Sequence, residues 1–306
     1  VRWSTSTERR ARAAGAALAV LAVTAAGCGA PAEDTGSTVT TVVTRPQQGG
    51  VGDAPGASPS GAPASPGASA PPEGGDVYAR LAAALPAGAG LAVAPVGGGE
   101  VHTMGTWSDG VAWSTAKVPL SVAALRHDPG TSAAVDRALT LSDNAAADQL
   151  WASLGGGRQA AGAVEQVLRE GGDTVTTVPA EAIRPGFSVF GQTRWSLADQ
   201  TRFASGLPCL PDAMAVLSPM SRVDPSQAWG LARVPGALYK GGWGPGEDGS
   251  GYLVRQLGVL PVSGGRVAVA TAVSGGSFEQ GTAALSTIGE ALARELPGLP
   301  AGECRR

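Results

Sequence analysis

Apolar positions recur in two rhythms along this chain, and the changes between them sketch a fold. Val77, Leu81 and Leu85 stand four apart, which predicts an amphipathic helix over 76–85 that Pro86 stops. Two short strands are expected next, over 90–96 and 100–103, joined by a Gly97-Gly98-Gly99 turn. From Ser114 to about Leu207 the pattern is mostly helical. Further on, 252–260 and 266–273 are apolar, β-branched-rich runs separated by Ser263-Gly264-Gly265, which is a hairpin signal. Leu285, Ile288, Leu292 and Leu296 line one side of a closing helix over 278–296. Strands at both ends with helices between predict a mixed α+β fold. One antiparallel sheet of about five strands carries the N- and C-terminal helices, and the middle helices form a separate lobe. Chemistry is expected in the cleft between sheet and lobe.

The first quarter of the 306 residues has neither rhythm. Arg2, Arg9, Arg10 and Arg12 precede an apolar run over 13–26 that is too short to span a bilayer, so 1–27 reads as a signal peptide. Its end, Ala25-Ala26-Gly27-Cys28, resembles the lipobox of bacterial lipoproteins, which implies acylation of Cys28; Leu is more usual at the first of those positions. Residues 28–75 are rich in Pro, Gly, Ser, Thr and Ala and cannot offset their ordering entropy by burial, which predicts a flexible tether. The folded domain is then 76–306. Such a protein is expected to be exported and lipid-anchored on the outer face of the bacterial cytoplasmic membrane, or secreted if Cys28 is not acylated. Of three cysteines, setting Cys28 aside leaves Cys209 and Cys304, an even pair expected to form a disulfide in an oxidising compartment.

A net charge of −3 gives no electrostatic reason to expect nucleic acid or an anionic membrane as partner, and the lipid is the only membrane contact expected. A small or neutral substrate and a monomer fit better. No Cys or His group has metal-ligand spacing, so neither metal nor cofactor is expected. The chain lacks a G-x-S-x-G elbow, and only His102 and His127 could serve a Ser-His triad; both read as structural or surface residues.

The lysines are more informative. There are only two, Lys117 and Lys240, against twenty arginines. Arginine holds its proton at any working pH, whereas a desolvated lysine can become neutral and act as a base. Lys117 lies three residues after Ser114 in Trp113-Ser114-Thr115-Ala116-Lys117, so one helical turn puts hydroxyl and amine on one face. A neutral amine there is a sufficient general base for a serine nucleophile. Pro119 removes a backbone donor early in that helix and predicts a tight first turn. Ser142-Asp143-Asn144 opens the next helical segment, with Ser142 or Asn144 available as its cap. Tyr239-Lys240-Gly241-Gly242-Trp243 sets glycines beside a cation at a strand, which permits close backbone approach to a ligand.

Taken in order, S-x-x-K, S-D-N and K-x-G resemble the three signature elements of class A β-lactamases and related penicillin-binding proteins, over about 76–296. The resemblance implies acylation of Ser114 by a β-lactam or a peptidoglycan-peptide carbonyl, with Lys117 as base. It further implies Ser142 and Asn144 in a proton relay, Asn144 also holding the substrate carbonyl, and Lys240 as electrostatic anchor. The oxyanion hole would come from the N–H groups of Ser114 and Trp243, beside Gly242. Three departures matter. The stretch between the first two motifs is short, which predicts an open cleft. Gly241 stands where the family has Thr or Ser, removing a donor worth about 1.5–3 kcal/mol to a substrate carboxylate. Glu181 falls near the expected place of the water-activating Glu, but Pro185 replaces the usual Asn four residues later. If Glu181 does not act, the acyl-enzyme persists and the protein is a penicillin-binding peptidase, or a covalent target, instead of a lactamase. Gly241 and the short stretch favour a different alternative, a non-catalytic lipoprotein that binds a cell-wall fragment or protein partner.

Overall fold

A computed structural model describes residues 76–305 except Asp248 and Ser250. The expected signal peptide over 1–27, Cys28 and the expected tether over 28–75 lie outside the described residues.

Helix α1 (Val77–Ala83) starts from Asp76, whose carboxylate caps the amide of Tyr78 at 3.0 Å. Strands β1 (Ala89–Pro95) and β2 (His102–Gly105) form the first hairpin. A 3₁₀ turn over Trp113–Ala116 runs into α2 (Lys117–His127), followed by α3 (Ser132–Thr140), α4 (Asn144–Ser153) and α5 (Gly157–Glu170). After a long loop come α6 (Leu197–Gly206) and α7 (Ala213–Met220). Strands β3 (Leu238–Pro245), β4 (Tyr252–Val262) and β5 (Gly265–Ser274) lead to α8 (Phe278–Glu295), which opens on a capping box between Ser277 and Gln280.

The five strands are antiparallel in the order β2-β1-β5-β4-β3, so β3 forms one edge. Alternation along β5 explains the layers. Val267, Val269 and Val273 pack with Leu81, Leu285, Ile288 and Leu292 beneath α1 and α8. On the opposite face, Ala268, Ala270 and Ala272 are small, which lets α6 pack closely on the sheet. Both faces are therefore buried, as in the mixed α+β arrangement that the sequence predicts. The lobe is built around α2, whose residues 117–124 are all buried. A helix buried on every side desolvates whatever it carries, and Lys117 is its first residue.

Some boundaries differ from the sequence reading. The return strand begins at His102, two residues later than expected, because the amides of Val96 and Gly97 bond to Arg266 and Ser205 and draw the chain off the hairpin axis. Helix α1 ends at Ala83, short of Leu85. Cys209 and Cys304 form a disulfide, as expected. His102 stacks on Tyr78 with ring centroids 3.9 Å apart, a packing role.

Candidate active site

Ser114 sits in a turn held from three sides. Trp113, just before it, has φ of 48°, a left-handed conformation that costs a non-glycine residue roughly 1–2 kcal/mol. Pro119 does produce the expected tight start, since the chain passes through a 3₁₀ turn before becoming α-helical. Arg255 of β4 is fully buried and braces the preceding segment. Its guanidinium donates to the carbonyls of Gly110 and Val111 at 2.9 and 3.0 Å, and to Trp195 and the Gln200 side chain, both at 2.9 Å. Gln200 in turn donates to the Thr115 hydroxyl, which donates to the carbonyl of Ala112. Burial pushes Arg255 down to about 9, still high enough to keep its charge near neutral pH. Sequence reasoning missed this brace; a lone Arg among apolar strand residues was the available signal.

On the third side, β3 approaches so closely that only glycine fits. A side chain at Gly242 would meet the amide of Ser114 at 2.8 Å and the carbonyl of Ala112 at 2.9 Å. Lys240, two residues earlier on the same strand, is fully buried.

The two lysines converge on Ser142. Lys117 Nζ donates to the Ser142 carbonyl at 2.6 Å and to Asn144 Oδ1 at 2.7 Å, with Ser142 Oγ at 3.4 Å. Lys240 Nζ reaches Ser142 Oγ at 2.9 Å and the Gly241 carbonyl at 2.7 Å. Neither lysine forms an ion pair among the described residues, and desolvation governs both. It lowers Lys117 to about 8 against the opposing pull of Asp143 and Asp148. It holds Lys240 well below the usual lysine range, with the charge of Lys117 adding to the effect. Ser142 itself is left-handed, at φ of 58°. The helix cap differs from the sequence reading: Asp143, not Ser142 or Asn144, caps α4 through the amide of Ala146. That division of labour leaves both flanking side chains for the lysines.

Ser114, Asn144, Asp148 and Trp243 line one cleft of about 540 Å³, with walls from Trp113, Phe187, Phe190 and Tyr252. The Ser114 hydroxyl makes no hydrogen bond to another described residue. Glu181 is not among the lining residues. The amides of Val178 and Arg184 are tied to Glu165 and Gln192, and the loop between them bulges outward, with Glu181 exposed and Ile183 72% exposed. The loop instead presents Phe187 and Ser188 to the cleft, while Arg184 lies over the rings of Trp113 and Phe187. Gly241 faces away from Lys240, and the Trp229 ring fills the space beside it: a side chain there would meet that ring at 2.9 Å. Asp148 was legible four residues after Asn144, on the same helical face, and went unread.

No protein-family model matches the sequence, and no curated protein matches it. Solved structures do match in fold. A class A β-lactamase from Mycobacterium abscessus superposes with a TM-score of 0.56 at 17% identity, covering 71% of this chain and 96% of its own. An ancestral class A β-lactamase, GNCA, gives 0.53 at 19% identity, covering 71% and 97%. Identities this low speak for architecture alone, and on that ground the described part of the chain has the fold of the class A β-lactamases.

Proposed function

We propose that this protein is a serine hydrolase that forms an acyl-serine intermediate on Ser114 with a β-lactam or a cell-wall peptide amide. The observation that supports the reading most directly is the convergence of two buried, unpaired lysines on Ser142, one turn from a cleft-facing serine. Neutral Lys117 takes the proton from Ser114 Oγ as that oxygen attacks the carbonyl carbon. This step requires the Ser114 hydroxyl to turn towards Nζ, a rotamer change that is fast for a part-exposed side chain. The oxyanion is held by the amides of Ser114 and Trp243. On collapse, the leaving nitrogen takes a proton from Ser142 Oγ, which is resupplied from the lysines beside it. Asn144 orients the substrate and Lys117. Lys240, buried beside Lys117, donates to Ser142 Oγ and holds it in place for the relay. The enzyme is exported and held at the outer face of the cytoplasmic membrane through lipid on Cys28.

A second reading, a cell-wall-binding protein that keeps the fold without catalysis, draws on Gly241, where the Trp229 ring occupies the place of a hydroxyl-bearing side chain. Labelling with a fluorescent penicillin followed by peptide mass spectrometry separates the two. An adduct on Ser114 that disappears in Ser114→Ala and Lys117→Arg, both folded by circular dichroism, is the expected result. Absence of any adduct favours the binding module, and an adduct forming at the normal rate in Lys117→Arg removes Lys117 as the base.

A further inference from the structure

An acyl-serine cycle has a second half. The ester on Ser114 must be attacked by water, and a base positioned on the water speeds that attack by roughly 10²–10⁴-fold. The loop carboxylate expected from the sequence, Glu181, is turned to solvent. Among the described residues that line the cleft, one carries a carboxylate, and it is Asp148.

Three observations converge on this residue. It stands one helical turn after Asn144 on α4, and Asn144 reaches Lys117 Nζ at 2.7 Å, so the helix presents both side chains on the side of the nucleophile. Ser188, from the loop on the other wall of the cleft, donates its hydroxyl to Asp148 Oδ1 at 3.0 Å. Asp148 is on the exposed side of the cleft, and that bond turns its carboxylate towards the opposite wall while Oδ2 accepts no hydrogen bond from a described residue. Finally, the charge of Asp148 is felt at Lys117, which places it within electrostatic reach of the catalytic amine. Other acids near this side are engaged elsewhere: Glu247 and Asp109 pair with Arg194, and Asp143 caps α4 through the amide of Ala146.

We propose that Asp148 is the general base that activates water to hydrolyse the acyl-Ser114 ester, with Ser188 as the residue that orients it; this rests on the acyl-serine reading above. Water loses a proton to Oδ2 of Asp148 as its oxygen bonds to the acyl carbon. The tetrahedral intermediate collapses with cleavage of the bond from that carbon to Ser114 Oγ. Lys117, neutral again once its proton has gone through Ser142 to the leaving nitrogen, takes up the proton from Asp148 through solvent and passes it to Ser114 Oγ, so Lys117 and Asp148 both end the cycle in their starting forms. Ester and water become carboxylic acid and free serine, with no redox change.

The test measures gain and loss of the fluorescent-penicillin adduct separately, by intact-protein mass spectrometry, in the parent protein, Asp148→Asn and Glu181→Gln. The Asn variant keeps the shape of the side chain and an acceptor for Ser188, and a thermal melt checks its fold. We expect its adduct to form at the parent rate or a few-fold faster, since Lys117 loses a neighbour that favours its charged form, and to be lost at least about 100-fold more slowly. Glu181→Gln should behave as the parent. Loss of the adduct from Asp148→Asn at the parent rate overturns the base assignment and leaves the acyl-serine reading standing. An adduct that the parent itself never releases overturns it as well. If the parent takes up no adduct, the acyl-serine reading fails and this inference goes with it.

Discussion

Lys117 shows how a single side chain acquires chemistry from its place in a helix. As the first residue of a helix buried on all sides, it loses hydration that no carboxylate contact restores, and its pKa falls to about 8. Two acids, Asp143 and Asp148, pull the other way without reaching it. The active form of a base is its deprotonated form, so the sign of the pH effect is fixed: acylation of Ser114 should rise with pH. Below about pH 7 the rise should approach tenfold per unit, bending near pH 8 towards a plateau above about pH 9. Single-turnover adduct formation measured from pH 6 to 9 on the intact protein checks this, and a flat profile would dismiss Lys117 as the base. In Asp148→Asn the bend should move to lower pH, because that carboxylate raises the Lys117 value. Residues of this kind were readable in the sequence because lysine is so scarce in the chain. Arg255 and Asp148 leave only positional traces in the sequence, a charge within an apolar strand run and an acid one turn after Asn144, and what they do follows from their three-dimensional neighbours.

Strand β3 does at element scale what no single residue does. As the edge strand it delivers Lys240 to Ser142 and passes Gly242 against the amide of Ser114. Gly241, buried on the opposite face of the strand, meets the edge of the Trp229 ring, which itself packs against Trp243 and Phe278 with centroids 6.0 and 6.2 Å away. The sequence shows only that a hydroxyl is missing at Gly241. The structure adds that the aromatic cluster has taken the space. Gly241→Thr should therefore not restore a substrate-carboxylate contact. Forcing a side chain into the Trp229 ring is an overpacking change of about 1–3 kcal/mol, which should lower the melting temperature by several degrees. Calorimetry and penicillin acylation rates measured side by side decide the matter. Faster acylation with an unchanged melting temperature would mean that Trp229 yields and that the hydroxyl was all that was lacking. Element identity along this chain was legible from periodicity, whereas the late start of β2 and the outward bulge at Glu181 were not. Both depend on hydrogen bonds to residues distant in sequence, Arg266 and Ser205 in one case and Glu165 and Gln192 in the other.

At the scale of the whole described chain, chemistry and stability are placed apart. The Cys209–Cys304 bond joins the link between α6 and α7 to the segment after α8, so it ties the lobe side of the sheet to the layer on its other face. The segment it anchors also pairs with the sheet, through the reciprocal amide–carbonyl bonds of Gly302 with Arg266. None of these residues lines the cleft around Ser114. A bond spanning 95 residues restricts the unfolded chain strongly, by up to about 4–5 kcal/mol in the loop-entropy account. For a domain of this size, that is a fall in melting temperature of roughly 10 °C on breaking it. The Cys209→Ser, Cys304→Ser double variant should show that loss in calorimetry. Below its own transition it should acylate Ser114 at the parent rate, because the brace of Arg255, Gln200 and Thr115 that shapes the nucleophile turn does not run through the disulfide. A double variant that keeps the parent melting temperature, or one that stays folded yet acylates slowly, would show that the two halves of the molecule are coupled in a way that this separation of sites does not allow.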